Sequence, residues 1–347
     1  MNPRWKQRPP GSTWGDFGAD DQLGRLNLLT PRKVLEGIAE VREGRRFCLS
    51  LPLDYPGGNA LNPRRHPPRL EPTRRDGKPY MNYPLGRHDP RHTDIISDDV
   101  ATITLQYSTQ WDSLAHVGQL FDADGDGVPE MVYYNGFRAG EDVLGPVDYR
   151  GGGEAAREGP TGARALGVEN MAASGIQGRG VMIDLYAHFG RARQWVGYDA
   201  LMRVLEEDDV RVEPGDLVCL RTGFDDLVLE MGRQPDAERL ASSCAVLDGR
   251  DERLLRWISE SGLVALIADN YAVEGYPARE NEAEHCAALP LHAHCLFKLG
   301  VNLGELWRLS ELTDWLRAHR RSRFLLTAPP LRLPGAVGSP LTPVATV

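Results

Sequence analysis

Sulfur chemistry is scarce in this chain. Its five cysteines (Cys48, Cys219, Cys244, Cys286 and Cys295) form no CxxC pair and sum to an odd number. That excludes a disulfide framework and a sulfur-only zinc site, and most of them read as reduced core residues. Long apolar runs are also missing. Nothing approaches the roughly 18 consecutive apolar residues of a membrane span, and Met1-Asn2-Pro3-Arg4-Trp5-Lys6 has no apolar stretch of a secretory signal. A cytoplasmic protein with no membrane partner is expected. Positive charge is in deficit, with 40 basic against 49 acidic side chains and a net charge of −9. This disfavours phosphate backbones, so no nucleic-acid partner is expected. The one basic cluster, Arg64 to Arg75, is broken by prolines and reads as a solvated loop. No G-x-S-x-G, G-x-G-x-x-G or Walker-type glycine loop occurs, which leaves serine-hydrolase and nucleotide-binding readings without support.

What is present is ample apolar material, 41% of 347 residues, enough for a large buried core. Composition does not change across the glycine-rich stretch 151–164, so residues 1–347 are read as a single domain. Thr30 and Pro31 are suited to cap and open a helix with Val34, Leu35 and Ile38 on one face. A strand is expected near Phe47 to Leu53. Residues 54–95, rich in Pro, Gly, Arg and Asn, lack an apolar period and read as a long surface loop in which specificity is set. Ala101 to Leu105 alternates like a half-buried strand. Val181-Met182-Ile183, Leu217 to Leu220 and Leu263 to Ile267 read as fully buried strands, with helical periods over 198–207 and 251–259. The fold class predicted is α/β with a mixed sheet.

Four places carry groups suited to chemistry. In the first, a strand delivering Gln106 runs into a turn presenting Gln110, Asp112 and His116, two amides, a carboxylate and an imidazole. On a helical turn Asp112 and His116, four apart, share a face and can hold zinc, manganese or iron. The alternative is a helix-capping Asp112 and a packed His116. Trp111, between the two, stacks on an aromatic substrate in one reading and packs in the core in the other. In the second place, a turn at Gly300 can bring a strand-borne Glu305 back beside His292, though Glu305 as a surface residue fits equally, while His294 points elsewhere as a surface or packing histidine. In the third, Asp122, Asp124 and Asp126 match the start of a calcium loop, but Tyr133 stands where the bidentate glutamate belongs. A structural calcium or a plain surface turn both fit. In the fourth, the buried run from Ile267 ends in Asp269, Asn270 and, a turn later, Glu274, where either function or capping of the next turn is expected.

Thr109-Gln110-Trp111-Asp112 with His116 resembles the T-H-x-D-x-x-x-H core of the metal-dependent cyclase and bacterial kynurenine formamidase-like hydrolases. Further segments agree in order: Trp14-Gly15 with Asp21, Leu23-Gly24, Leu26 to Pro31, Tyr133 to Gly136, Gly178 to Val181, Pro214-Gly215-Asp216 with Arg221-Thr222-Gly223, Asp269-Asn270, and Leu291-His292 with Gly304-Glu305. The resemblance spans roughly residues 14 to 345. It implies a swivelling β/β/α fold and a homo-oligomer. It also implies a metal held at the positions of Gln106, Gln110 and Asp112, with His116 matching the next histidine, His292 the catalytic histidine and Glu305 its partner. Two expected imidazoles are amides here. Manganese or zinc is the expected ion, and the harder amide oxygen weights the choice away from zinc towards manganese, magnesium or calcium.

The activity expected is hydrolysis of an amide or lactone bond in a cyclic or aromatic small molecule. A metal-activated water attacks, His292 is the general base, Glu305 orients it, and Gln110 binds either the ion or the oxyanion. Two alternatives stand beside it: metal-independent cyclase or lyase chemistry on His116, His292 and Glu305, and a noncatalytic small-molecule binding protein.

Overall fold

The computed structural model describes residues 4–347. Among them, one nine-stranded mixed sheet draws on the whole chain. Its order is Arg46–Cys48, Val344–Thr346, Arg323–Thr327, Gln177–Asp184, Leu217–Arg221, Ala265–Ala268, Asn302–Glu305, Gln110–Asp112 and Gly338–Pro340. The four strands from Gln177–Asp184 to Asn302–Glu305 are parallel, and every other pairing is antiparallel. The expected mixed α/β architecture is therefore the one found, and the three buried strands lie at its centre. No helix among the described residues is long and apolar enough to cross a membrane.

Alternation along those strands divides the core in two, because successive side chains leave opposite faces of a sheet. Val181, Ile183, Val218, Leu220, Leu266 and Leu303 face one side, under the helices Tyr198–Glu207 and Glu252–Ser261 and the helical turns that follow Pro290. Met182, Cys219, Ile267 and Trp111 face the other, under the helix Ser310–Ala318. Trp111 is fully buried, donates its Nε1–H to the Ala328 carbonyl at 2.8 Å and meets Trp307 edge to face at 5.1 Å. The substrate-stacking role read for Trp111 is thereby corrected. Its neighbours Gln110 and Asp112 leave by the opposite face.

The first helix, Pro31–Ile38, starts as expected, with Thr30 Oγ1 accepting from the Lys33 amide at 3.3 Å. Its buried face differs from the expected one. Lys33 and Gly37 are buried, whereas Leu35 and Ile38 are 64% and 47% exposed. Two contacts decide this. A Cβ on Gly37 would lie 2.7 Å from the Gly178 carbonyl carbon, so the backbones touch there. Lys33 Nζ meanwhile reaches Asp216 Oδ1 at 3.0 Å, beside the Arg179–Asp216 pair at 2.8 Å.

The stretch 54–95 also holds more structure than a loop. Three short antiparallel ladders stand in this part of the chain: Arg69–Pro72 with Asp99–Thr102, Arg74–Arg75 with Lys78–Pro79, and Tyr83–Pro84 with Ile95–Ile96. Nearly all of their residues are exposed, so no burial imposes an apolar period. The half-buried strand expected at Ala101 to Leu105 is replaced by the exposed Asp99–Thr102 rung.

The Trp111 packing gives a first testable consequence. Trp111→Ala should lower unfolding free energy by about 3–5 kcal/mol, the usual range for an aromatic deleted from a core. Urea titration followed by circular dichroism measures it, and a loss under about 1 kcal/mol would contradict this packing.

Candidate active site

The Gln110–Asp112 strand lies between Asn302–Glu305 and Gly338–Pro340, with Gln110 opposite Glu305 and Asp112 opposite Leu303. Gln110, Asp112 and Glu305 therefore share one sheet face. They are buried to 0%, 0% and 2% exposure. His292 comes down onto that face from the short helix Pro290–His292, opened by Pro290. Its Nε2 is 3.2 Å from Glu305 Oε1 and 3.9 Å from Asp112 Oδ2. The expected return of Glu305 to His292 across the turn at Gly300 is what the geometry provides. Asp112, His292 and Glu305 offer ligand atoms within 4.8 Å of one another.

Gln110 knits this group together. Its Nε2 donates to Glu305 Oε2 at 3.0 Å and more weakly to Asp112 Oδ1 at 3.4 Å. Gln110 Oε1 and Asp112 Oδ2 are both buried, and no donor reaches either. Because the amide nitrogen is already engaged, Gln110 presents an acceptor to the centre, not the N–H an oxyanion would need. His116 sits at the rim, partly exposed, with Nε2 3.8 Å from Asp112 Oδ1. The local structure is a strand followed by a turn, so Asp112 and His116 do not share a helical face as expected. The i, i+2 spacing of Gln110 and Asp112 is what aligns two groups here.

Glu274, named in the sequence only as part of a strand-end run, turns out to be a partner of His292. Its Oε1 accepts from His292 Nδ1 at 2.8 Å and from the His292 amide at 2.9 Å, and its Oε2 accepts from the Leu291 amide at 2.9 Å. One carboxylate thus fixes the imidazole and the start of its helix together. Gly249 makes room for it, since a Cβ there would lie 2.3 Å from Glu274 Oε2. The strand-end run Asp269, Asn270 and Glu274 carries the signal for a functional group, but nothing in its spacing points to His292. Asp269 has a structural task across the sheet: it accepts from the Thr222 amide at 2.8 Å, the Thr222 hydroxyl at 2.7 Å and the Gly223 amide at 2.8 Å. It does not cap its own next turn.

Arg65 was also misjudged as part of a solvated loop. Its Nη1 donates to the Gln106 carbonyl at 2.7 Å and its guanidinium lies 5.9 Å from the Tyr271 ring centre. Gln106 packs its amide against Gly338, where a Cβ would come within 2.4 Å of Nε2, and lines a small gap with Arg65, Tyr107 and Tyr271. It makes no hydrogen bond to Asp112, Gln110 or Glu305. His294 points away, with Nε2 2.9 Å from Ser259 Oγ. Asp122, Asp124 and Asp126 do gather, but their carboxylates accept amides of their own loop, at 2.7 Å from Gly125, 3.1 Å from Asp126 and 2.8 Å from Val128. These bonds form an Asx-type turn, and the three carboxylates still lie close enough together to hold a cation.

Electrostatics follows from burial. Asp112 is raised above the usual carboxyl range by desolvation, with Glu305 adding to the rise and His116 and His292 opposing it. For Glu305 desolvation also acts upward, yet the hydrogen bond and charge of His292 win and hold it low. Desolvation would depress His292, but hydrogen bonds to Glu274 and Glu305 outweigh it and lift the imidazole to about 10. The centre is thus one imidazolium shared between two carboxylates, beside a third that is poorly solvated.

The Cyclase family matches residues 49–275 of the chain. A crystal structure of a novel cyclase is similar over 98% of this chain and 100% of that one, at 28% identity and a TM-score of 0.73. Isatin hydrolase A from Labrenzia aggregata, bound to benzyl benzoate, shares the fold over 90% of this chain and 97% of its own, at 14% identity and a TM-score of 0.54. Isatin hydrolase A from Ralstonia solanacearum does so over 91% and 97%, at 16% identity and a TM-score of 0.54. A search of curated proteins gave no match.

The upward shift of His292 has a sign that can be tested. Its stabilisation is complete below the ordinary value of 6.5 and is lost as pH rises through about 10. In chelator-treated protein, the His292 ring signal followed by NMR should titrate near 10 and move to lower pH in Glu274→Gln. An unmoved midpoint would show that Glu274 does not hold the imidazolium.

Proposed function

Starting from the fact that this chain belongs to the cyclase family, we propose that it is a hydrolase of an amide or lactone bond in a cyclic or aromatic small molecule, assisted by a divalent cation. One observation carries this. Two buried acceptor oxygens, Asp112 Oδ2 and Gln110 Oε1, lack any donor beside an imidazole and a second carboxylate. Buried oxygens without partners are costly, and a hard cation satisfies both at once. The donor set fits such an ion, since Asp112, Glu305 and Gln110 would supply oxygens while the imidazoles of His292 and His116 stay free for proton transfer. Oxygen-rich coordination favours manganese or magnesium over zinc. Gln106 stays a candidate ligand only from the edge of the site.

When bound, the ion supplies Lewis acidity and a water of lowered pKa. The rest falls to the protein. Beside the charge of a bound cation the His292 imidazolium would come down from about 10, and Glu274, by holding Nδ1, leaves Nε2 as the atom that then takes and returns a proton, at the point faced by Asp112 Oδ2 and Glu305 Oε1. Glu305 orients the ring and balances its charge. His116, at the exposed rim, passes protons to solvent. Burial of the whole group keeps these charge interactions strong.

A second reading rests on His292 itself. An imidazole lifted to about 10 by two carboxylates is already an acid, suited to metal-independent cyclase or lyase chemistry with His116 and Glu305.

Elemental analysis of protein purified without chelator should find about one divalent ion per chain, and Asp112→Asn should lose it. On a panel of N-formyl aromatics, cyclic amides and lactones, turnover should vanish with EDTA and return with manganese. His292→Ala should cut kcat by about 10²–10⁴-fold, the range for a general acid–base group. Turnover that survives EDTA would move the assignment to the second reading, and full activity in His292→Ala would remove both.

A further inference from the structure

Beside the catalytic face lies a second cavity, of about 170 Å³, that the reaction above does not use. Its walls include Leu61 from the Pro/Arg-rich stretch, Phe224, Tyr271 and Tyr276, with Arg193 and Asn270 as the polar members. An apolar cavity of ~150 Å³ accepts a benzene ring, so the space suits one substituted ring and little more. Tyr271 and Tyr276 meet edge to face at 6.4 Å, an arrangement that offers ring faces and edges to an aromatic guest.

Both polar members lack what they need. Asn270 is 2% exposed, and its Nδ2 is committed to the Ala245 carbonyl at 3.0 Å. Its Oδ1 is buried with no donor. Arg193 is partly buried, and its side chain makes a single long hydrogen bond, 3.5 Å to the Ser243 carbonyl. Among the described residues no carboxylate pairs with it, and burial lowers its affinity for the proton. Arg193 and Arg279 both lie over the Trp195 ring, at 5.6 and 5.2 Å, but Arg279 is paired with Asp248 at 3.3 Å. A partly desolvated guanidinium with no carboxylate partner calls for an anion. An orphaned amide oxygen calls for an N–H or O–H donor.

We propose that this cavity binds a small aromatic carboxylate that also carries a hydrogen-bond donor. The carboxylate pairs with Arg193, the ring lies among Phe224, Tyr271 and Tyr276, and the donor reaches Asn270 Oδ1. Arg193 acts as a planar fork for the carboxylate, a geometry lysine does not reproduce. This inference does not rest on the reaction assigned to Asp112, His292 and Glu305, since none of those residues lines the cavity.

Isothermal titration calorimetry of the full chain with 4-hydroxyphenylacetate, and separately with its neutral amide, tests the site. The carboxylate should bind saturably with one site per chain, and the amide at least about tenfold more weakly. Arg193→Gln should weaken the carboxylate by about tenfold or more and leave the amide unchanged. Arg193→Lys should recover only part of the loss. Glu305→Gln should leave both affinities as they are, which separates this site from the catalytic centre. No saturable binding, equal affinity for acid and amide, or an Arg193→Gln variant that binds the carboxylate like the parent would each overturn the proposal. The acid–amide comparison is made on the unaltered protein, so it holds even if a variant folds poorly.

Discussion

Three carboxylates, Asp112, Glu274 and Glu305, surround one imidazole with almost no access to water. Leaving such charges unpaired in a protein interior costs several kcal/mol each, so most of the local architecture exists to satisfy them. Glu274 takes three hydrogen bonds from a helix start and a ring nitrogen. Glu305 takes one from Gln110 and shares His292. Asp112 receives the least, a single long bond from Gln110, and keeps one oxygen without a donor. The imbalance is what makes the position a candidate site, and it sets it apart from the Asp122 to Asp126 turn, whose carboxylates accept amides of their own loop.

Delivering these groups strains the backbone nearby. Ala272 and Val273 both take left-handed conformations, with φ of 74° and 58°, immediately before Glu274, and Leu306 does the same at 56° immediately after Glu305. For a β-branched residue such as Val273 this is uncommon, and each instance costs on the order of 1–3 kcal/mol. The compensation is at hand. Val273 is fully buried, Glu274 locks the helix start at Leu291 and His292, and the Leu306 amide donates to the Asn270 carbonyl at 3.1 Å. Strain at both ends of the histidine's two carboxylate partners is expected of a preorganised centre, where geometry is held before any substrate arrives.

Parts of this were legible from residue order alone. The central parallel strands announce themselves as short apolar runs, because burial on both faces removes the polar alternation. The pairing of His292 with Glu305 was half legible: a turn at Gly300 permits it, and the family resemblance, not the spacing, singles it out over a surface Glu305. Three things were hidden for physical reasons. The Pro31–Ile38 helix buries Lys33 and Gly37, because an ion pair and a backbone approach outweigh the apolar stripe. Arg65 looks like any residue of a basic loop until Gln106 folds beneath it. Glu274 acts through His292, and no spacing rule links residues 18 apart with a strained turn between them.

The amide at position 110 can be understood in the same terms. An imidazole there would present either one acceptor or one donor to the centre, according to which nitrogen carries its proton. Glutamine presents both at once: its Nε2 steadies Glu305 and Asp112, while its Oε1 stays free on the same buried face. The group can therefore hold its shape without a cation and still offer oxygens to one. An oxygen donor at this position would weight the proposed cation centre towards harder ions than zinc. Trp111 supports this arrangement from the other side of the sheet. Anchored on the far face through Ala328 and Trp307, it fixes the strand so that positions 110 and 112 point the same way whatever side chains they carry.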